Sequence, residues 1–309
     1  MSVRHWRRWA FGLLAFGLVL SIPAFGAEKH WNPEGWWRMP EGTSSYSGEI
    51  DNLYVGVLWL TGIIFLITEA ILVYCLVAFR HRPGRKSGYT HGNHTMELAW
   101  TITPAVILGI LAFLQSSTWN LIKRDIPTAD AVNIQLFAHQ YEWNFRYAGN
   151  DNTWGTKDDV LLVNQLYVPV NKNIVLEQNS KDVIHSFFLP NMRLKQDVVP
   201  GLPIRVWFKP IKTTKEMQVD RPIWNKDDGT TQEWNYEIAC AELCGADHSQ
   251  MKGTLYVLSQ EEYDAKMKTL SQEFADDKWE RPKIWKLWKV GPDGKRLPMP
   301  KKPVAEHGH

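Results

Sequence analysis

The sequence predicts a membrane-anchored, all-β protein in which two apolar helices cross a bilayer and a β-rich domain follows. Three observations carry this. Residues 53–79 and 97–119 are each long and apolar enough to span the hydrocarbon core as a helix. From Ala131 onward the pattern changes to short, largely alternating runs separated by turn residues. At 309 residues and 44% hydrophobic content, the chain has room for one globular domain besides the membrane segments. Sixteen Trp suit interfacial belts and aromatic docking surfaces. A net charge of +2 singles out no class of partner, and three Cys, with Cys75 inside an apolar run, leave no disulfide framework.

Residues 1–26 read as a signal peptide. Arg4, Arg7 and Arg8 precede the apolar run Ala10 to Ile22, and small residues Ala24 and Gly26 follow. An uncleaved N-terminal anchor is the alternative. Residues 27–52 form a segment outside the membrane. The crossing at 53–79 carries one charge, Glu69, and ends at Arg80, Arg82, Arg85 and Lys86, which place that end in the cytoplasm. Residues 80–96 are then a cytoplasmic loop, and 97–119 returns outward, so everything after residue 120 lies outside. A charge at mid-membrane is costly, so Glu69 should be protonated or face another subunit, the plainer reading being a neutral Glu bonded to a neighbouring helix. Glu97 begins the second crossing, where a carboxylate is favoured by the helix dipole alone.

Residues 120–260 contain the strand signals. Val132–Phe137 and Ile204–Phe208 alternate, and Asn173–Glu177, Trp234–Ile238 and Thr254–Leu258 are similar. Short strands at this spacing form a sandwich or barrel, whose stiff strands can hold loop ligands in place. The connection at 210–232 is long, as partner-binding loops often are. Residues 261–309 begin as a polar helix to Asp277 and then alternate basic and aromatic residues through Lys283, Trp285, Lys286, Trp288 and Lys289. Wrapping on a neighbouring subunit and plain disorder both fit that tail.

The chemistry concentrates in Cys240-Ala-Glu-Leu-Cys244-Gly-Ala-Asp-His248-Ser-Gln-Met251. Thiolate and thioether are soft ligands suited to copper, which imidazole also binds. Two thiolates four residues apart can both bridge a pair of copper ions. The second imidazole should come from His185, in an apolar stretch bounded by Pro190, where a strand end would present it. Competing readings are a short-loop disulfide, half of a zinc site, or a core role for His248 and Met251.

The run resembles the CuA signature of cytochrome c oxidase subunit II, Cys-x-Glu-x-Cys-x3-His-x2-Met. His139 to Tyr147 is similar to that family's aromatic region, Lys195 to Gly201 to its Lys-x-Asp-x-x-Pro-Gly segment, and Glu97 to Thr101 with Pro104 to the start of its second membrane helix. The resemblance implies a Greek-key cupredoxin β-barrel after the hairpin. It implies that Cys240 and Cys244 bridge both coppers, that His185 and Met251 complete one, and that His248 and the Glu242 carbonyl complete the other. The Glu242 side chain would face a Mg2+ shared with subunit I, and Glu97 would lie at a proton-uptake entrance. Tyr141 and Trp143 would receive electrons. The family usually reads Gln-Trp-x-Trp there, so Gln140-Tyr141-Glu142-Trp143 changes the donor's docking surface. Asp182 could add docking charge or be merely solvated.

The function implied is electron transfer in a proton-pumping haem-copper oxidase of a bacterial inner membrane. Electrons from a cytochrome c would pass through CuA, on the periplasmic side, to haem in subunit I for reduction of O2. Subunit I and other oxidase subunits are the expected partners, with no nucleic acid. No Cys-x-x-Cys-His follows residue 251, so the donor is a separate protein. Rivals are a quinol oxidase subunit, which lacks the copper ligands, a copper chaperone, whose site would be exposed and Met- or His-rich, and a structural subunit with a vestigial domain.

Overall fold

A computed structural model of the chain describes residues 39–275 apart from 87, 90, 150, 157, 221, 222 and 225–230. The expected signal peptide, residues 27–38, part of the 210–232 connection and the basic aromatic tail therefore lie outside the described residues.

Helix α1 spans Ser47–Ala78 and α2 His94–Leu114. Among the described residues, two helices are long and apolar enough to cross a membrane: Ser47–Ala78, and His94–Arg124 when α2 is taken with the turns after it. α1 starts ahead of residue 53. The Ser47 hydroxyl donates to the Ser44 carbonyl, and Glu49 sits in the first turn, where the dipole favours a carboxylate. α2 starts ahead of residue 97 because the Asn93 side chain accepts from the backbone N–H groups of Thr95 and Met96. Phe65, Leu76 and Phe113 stand exposed on these helices, an arrangement suited to lipid. Glu69 is also exposed and, among the described residues, has no partner within the chain.

A second unit comprises residues 42–50 and the described residues from 117 onward. After α2 come the short helix α3, Ser116–Trp119, and a π-turn at Asn120–Arg124. Its strands are β1 Ala131–His139, β2 Glu142–Tyr147, β3 Val160–Val163, β4 Gln165–Pro169, β5 Asn173–Ser180, β6 His185–Leu189, β7 Leu194–Val198 and β8 Ile204–Phe208. Helix α4, Thr214–Asp220, precedes β9 Ile223–Trp224, β10 Thr231–Gln232, β11 Tyr236–Cys240 and β12 Lys252–Leu258, and helix α5, Gln260–Ala275, follows. One five-stranded sheet runs β3-β2-β1-β5-β8, the other β4-β12-β11-β6-β7, and β9 pairs with β10 as a separate ribbon. β1 with β5 and β4 with β12 are parallel, and the other neighbours are antiparallel.

Alternation builds the core between the two large sheets. Ile134, Leu136 and Ala138 of β1, Trp143 and Phe145 of β2, Phe187 and Leu189 of β6, and Leu255 and Val257 of β12 are all buried. The Phe187 ring meets Trp143 edge-on at 5.3 Å and Phe145 at 6.2 Å, joining the sheets. Gln135, Phe137, Asn144 and Arg146 on the alternate positions of β1 and β2 are buried too. Arg146 Nε lies 3.7 Å from the buried Asp159 carboxylate. Burial pulls the guanidinium down to about 10 against the pull of Asp159.

Residues 43–46 are built into this unit. The Thr43 N–H donates to the Asn191 carbonyl at 2.7 Å, the Ser45 N–H to Lys209 at 2.9 Å, and the Ile211 N–H back to Thr43 at 2.9 Å. Tyr46 is buried with its ring edge-on to Trp207 at 5.3 Å, and its hydroxyl donates to the Trp207 carbonyl at 2.9 Å. The Trp207 indole N–H in turn donates to the Leu121 carbonyl at 3.3 Å. One residue of β8 thus ties down both the strap before α1 and the π-turn after α3. Tyr46→Ala should lower the stability of the β unit by about 3–5 kcal/mol, as for other buried aromatic truncations, and Tyr46→Phe by about 1 kcal/mol for the lost hydrogen bond. Denaturant titration of the full chain in detergent, followed by Trp fluorescence, measures both. Equal midpoints for Tyr46→Ala and the unaltered chain would show the strap to be decorative.

Candidate metal centre

The ligand candidates come from two segments of one sheet. β6 opens at His185, and the loop between β11 and β12 carries the rest. Antiparallel pairing puts Cys240 opposite Phe187, with the Ala241 N–H on the Ser186 carbonyl at 3.0 Å, so Cys240 is held beside His185. The Cys240 and Cys244 sulfurs stand 3.8 Å apart. Both thiols are free, and the gap far exceeds the disulfide length of about 2 Å. Cys240 Sγ lies 4.0 Å from His185 Nδ1 and 3.3 Å from the Glu242 carbonyl oxygen. Cys244 Sγ lies 3.5 Å from His248 Nδ1, on a 3-10 turn at His248–Gln250, and 3.7 Å from Met251 Sδ. The donor atoms of His185, Cys240 and Cys244 all fall within 4.8 Å of one another. All six expected CuA ligands therefore meet around one pair of sulfurs.

Asp182 sets the direction of the His185 ring. Its Oδ1 is 2.8 Å from His185 Nε2, and because a carboxylate can only accept, Nε2 carries a proton and Nδ1 is the nitrogen that faces Cys240. Burial works against charging His185, but Cys240 and Asp182 outweigh it and raise its pKa. The Asp182 side chain is only 13% exposed and also accepts from the backbone N–H groups of Gln140 and Val183. It faces inward to the imidazole, which corrects the reading of it as docking charge.

The two thiols differ in proton affinity. Burial pushes the Cys240 thiol up, yet the hydrogen bonds it shares with His185, the Ser186 and Glu242 backbone and Cys244 hold it down at about 6. Burial and then the neighbouring Cys240 push Cys244 up to about 12. One thiolate forms readily, and the second needs a cation beside it. Two soft sulfurs, a thioether, two imidazole nitrogens and a carbonyl in a largely buried cluster fit copper.

Gly245 lets the loop pass close to the β1–β2 turn. Its φ is +139°, and a Cβ there would sit 2.5 Å from the Tyr141 hydroxyl and 2.8 Å from Gln140 Nε2. Tyr141 is part-exposed at this turn, whereas Trp143 is wholly buried, its ring edge-on to His185 at 6.1 Å. Of the two aromatics expected to receive electrons, only Tyr141 reaches the surface. The Glu242 side chain is exposed. Glu97 lies in the first turn of α2, 45% exposed, with His94 Nδ1 at 3.3 Å.

Comparison with known proteins identifies the family. Residues 32–116 match the family model "Cytochrome C oxidase subunit II, transmembrane domain", and residues 132–216 match "Cytochrome C oxidase subunit II, periplasmic domain". The cytochrome c oxidase subunit 2 of Cereibacter sphaeroides is 30% identical over 246 residues, covering 67% of this chain and 73% of that one. This chain belongs to the cytochrome c oxidase subunit II family. The alternative cytochrome c oxidase subunit 2 of Bradyrhizobium diazoefficiens is 29% identical over 276 residues, 82% of this chain and 90% of that one. The crystal structure of the periplasmic domain of subunit II of cytochrome oxidase from Bradyrhizobium japonicum covers 48% of this chain and 99% of its own, at 26% identity and a TM-score of 0.37.

Membership implies a CuA copper centre, partnership with subunit I, and a membrane-anchored chain whose cupredoxin-like β domain lies outside. The second family match ends at residue 216, so the placing of Cys240 to Met251 rests on the loop's own motif and geometry. Sequence reasoning missed the inward role of Asp182, because the three-residue step to His185 becomes a contact only after the turn before β6 folds. Cys244 must lose its proton to bind a cation, so uptake should strengthen as pH rises from about 6 to about 8. Chelator competition on the metal-free full chain measures this. An affinity flat across that range would contradict the proton assignment.

Proposed function

We infer that this chain is the electron-accepting subunit of a proton-pumping haem-copper oxygen reductase in a bacterial inner membrane. It takes electrons from a separate cytochrome c at a binuclear CuA centre on the periplasmic side and delivers them to haem in subunit I, where O2 is reduced to water. The observation that carries the reading is the pair of free sulfurs 3.8 Å apart, surrounded by His185, His248, Met251 and the Glu242 carbonyl.

The copper pair, when bound, supplies a one-electron carrier. The residues do the rest. Cys240 and Cys244 would bridge both ions, His185 and Met251 would complete one, and His248 with the Glu242 carbonyl the other. With both thiolates shared, contacts of the outer ligands with either sulfur would be compatible with that assignment. Asp182 keeps the proton of His185 on Nε2, leaving Nδ1 to the metal. Buried Met251 and Cys244 keep water from that side of the cluster. Strands on both sides of the loop limit movement between redox states, whose preferred copper geometries differ. Tyr141 would offer an aromatic contact to the donor. The exposed Glu242 carboxylate would reach a Mg2+ shared with subunit I, an ion that commonly takes only one or two protein carboxylates. Glu97 would stand at the entrance to a proton-uptake path in subunit I.

Full-length chain loaded with copper in detergent should hold two ions, with an electron paramagnetic resonance spectrum of one unpaired electron shared by two copper nuclei. Cys244→Ser should abolish that shared signal. One copper or none per chain, with both thiols still free, would end the electron-relay account. In the intact complex Glu97→Gln should lower turnover by about an order of magnitude or more, as loss of a proton-transferring group does, and leave the copper spectrum unchanged. Normal turnover of that variant would remove Glu97 from the proton path.

A further inference from the structure

The β1–β2 turn contributes no metal ligand, yet Gln140 bonds to both ligand-bearing segments. Its backbone N–H donates to Asp182 Oδ2 at 2.8 Å, while Oδ1 of the same carboxylate holds His185 Nε2 at 2.8 Å. Its side-chain Nε2 donates to the Cys244 carbonyl at 2.6 Å, at the short end for such a bond. Pairing of β6 with β11 already locates Cys240 beside His185, but it ends at Cys240. Cys244 lies beyond that strand, flanked by exposed Leu243 and Gly245, and Gln140 reaches its backbone from the opposite sheet. Gly245 lets this approach happen, since a Cβ there would collide with Gln140 Nε2 and the Tyr141 hydroxyl.

Resting on the CuA reading above, we propose that Gln140 is a positioning residue of the metal centre, clamping the second thiol and the first imidazole in a fixed relation. Its two arms are separable. The side-chain amide fixes the backbone of Cys244 and hence the distance between the sulfurs. The backbone N–H fixes Asp182 and, through it, the plane of the His185 ring. Groups that orient metal ligands from outside the ligand set typically alter metal affinity about 10- to 100-fold when removed. The clamp also fits the chemistry of a one-electron carrier, because a fixed sulfur separation limits rearrangement between oxidation states.

The test uses the full-length chain in detergent, loaded with copper, in three forms: unaltered, Gln140→Met and Asp182→Asn. Gln140→Met keeps the length of the side chain and loses the donor, and Asp182→Asn keeps the shape and weakens the hold on His185. Both variants should still bind two copper ions. Both should show altered copper hyperfine splitting and a shifted reduction potential, and should lose copper to a chelator about 10- to 100-fold faster. The thermal midpoint of the metal-free chain should fall by no more than the loss of such hydrogen bonds accounts for, which separates positioning from general loosening. A Gln140→Met protein with the unaltered spectrum, potential and release rate overturns the proposal. So does faster release that merely tracks a lowered midpoint of the metal-free chain, and if Gln140→Met does not fold, an unaltered Asp182→Asn spectrum and release rate does the same. An unaltered chain that binds no copper pair overturns the CuA reading itself, a different result from any of these.

Discussion

Two sulfur atoms held 3.8 Å apart, Cys244 buried and Cys240 half-buried in a loop whose other residues are mostly exposed, are the constraint on which the rest of the domain depends. At such a separation two negative charges repel by about 4 kcal/mol in a partly screened protein environment. Without a cation the protein avoids that repulsion by keeping one proton: Cys240 gives up its proton easily and Cys244 holds on to its own. The arrangement is complete only with positive charge between the thiols. Two copper ions against two thiolates leave little net charge to bury, which is the economical way to place metal in a low-dielectric site.

Holding that geometry is the work of the sandwich. His185 and Cys240 lie on adjacent antiparallel strands, so backbone hydrogen bonding sets their separation. Cys244, His248 and Met251 are tethered between β11 and β12, whose pairing closes the loop at its base. The opposite sheet contributes Trp143 and Phe145 against Phe187, a dense aromatic contact directly behind the imidazole. Interiors packed in this way resist deformation. A redox site that must reorganise little is therefore served by the same packing that stabilises the fold.

The segments on either side of the helical hairpin belong to the β unit. Thr43 to Tyr46 lies along Pro190–Met192 and the end of β8, and the π-turn at Asn120–Arg124 meets the same strand through Trp207. The boundary between membrane anchor and outer domain thus falls inside α1, since residues 42–50 fold with the strands. Hydropathy marks where a helix can enter lipid, and it carries no information about a short polar strap that folds back on a distant sheet.

Much of this protein was legible in its residues, and the division has a physical cause. Length and apolarity of α1 and α2 are local properties, and so is the alternation that marks β1, β8 and β12. The chemical types and spacing of Cys240, Cys244, His248 and Met251 announced a soft-metal loop because a short loop has little choice but to bring its members together. Asp182 facing His185, Trp143 buried beneath the site, Gln140 reaching Cys244 and Tyr46 seated on Trp207 were decided only in three dimensions. Each of those contacts depends on strand register and on which way a side chain points, and both are settled by packing between segments far apart in the chain.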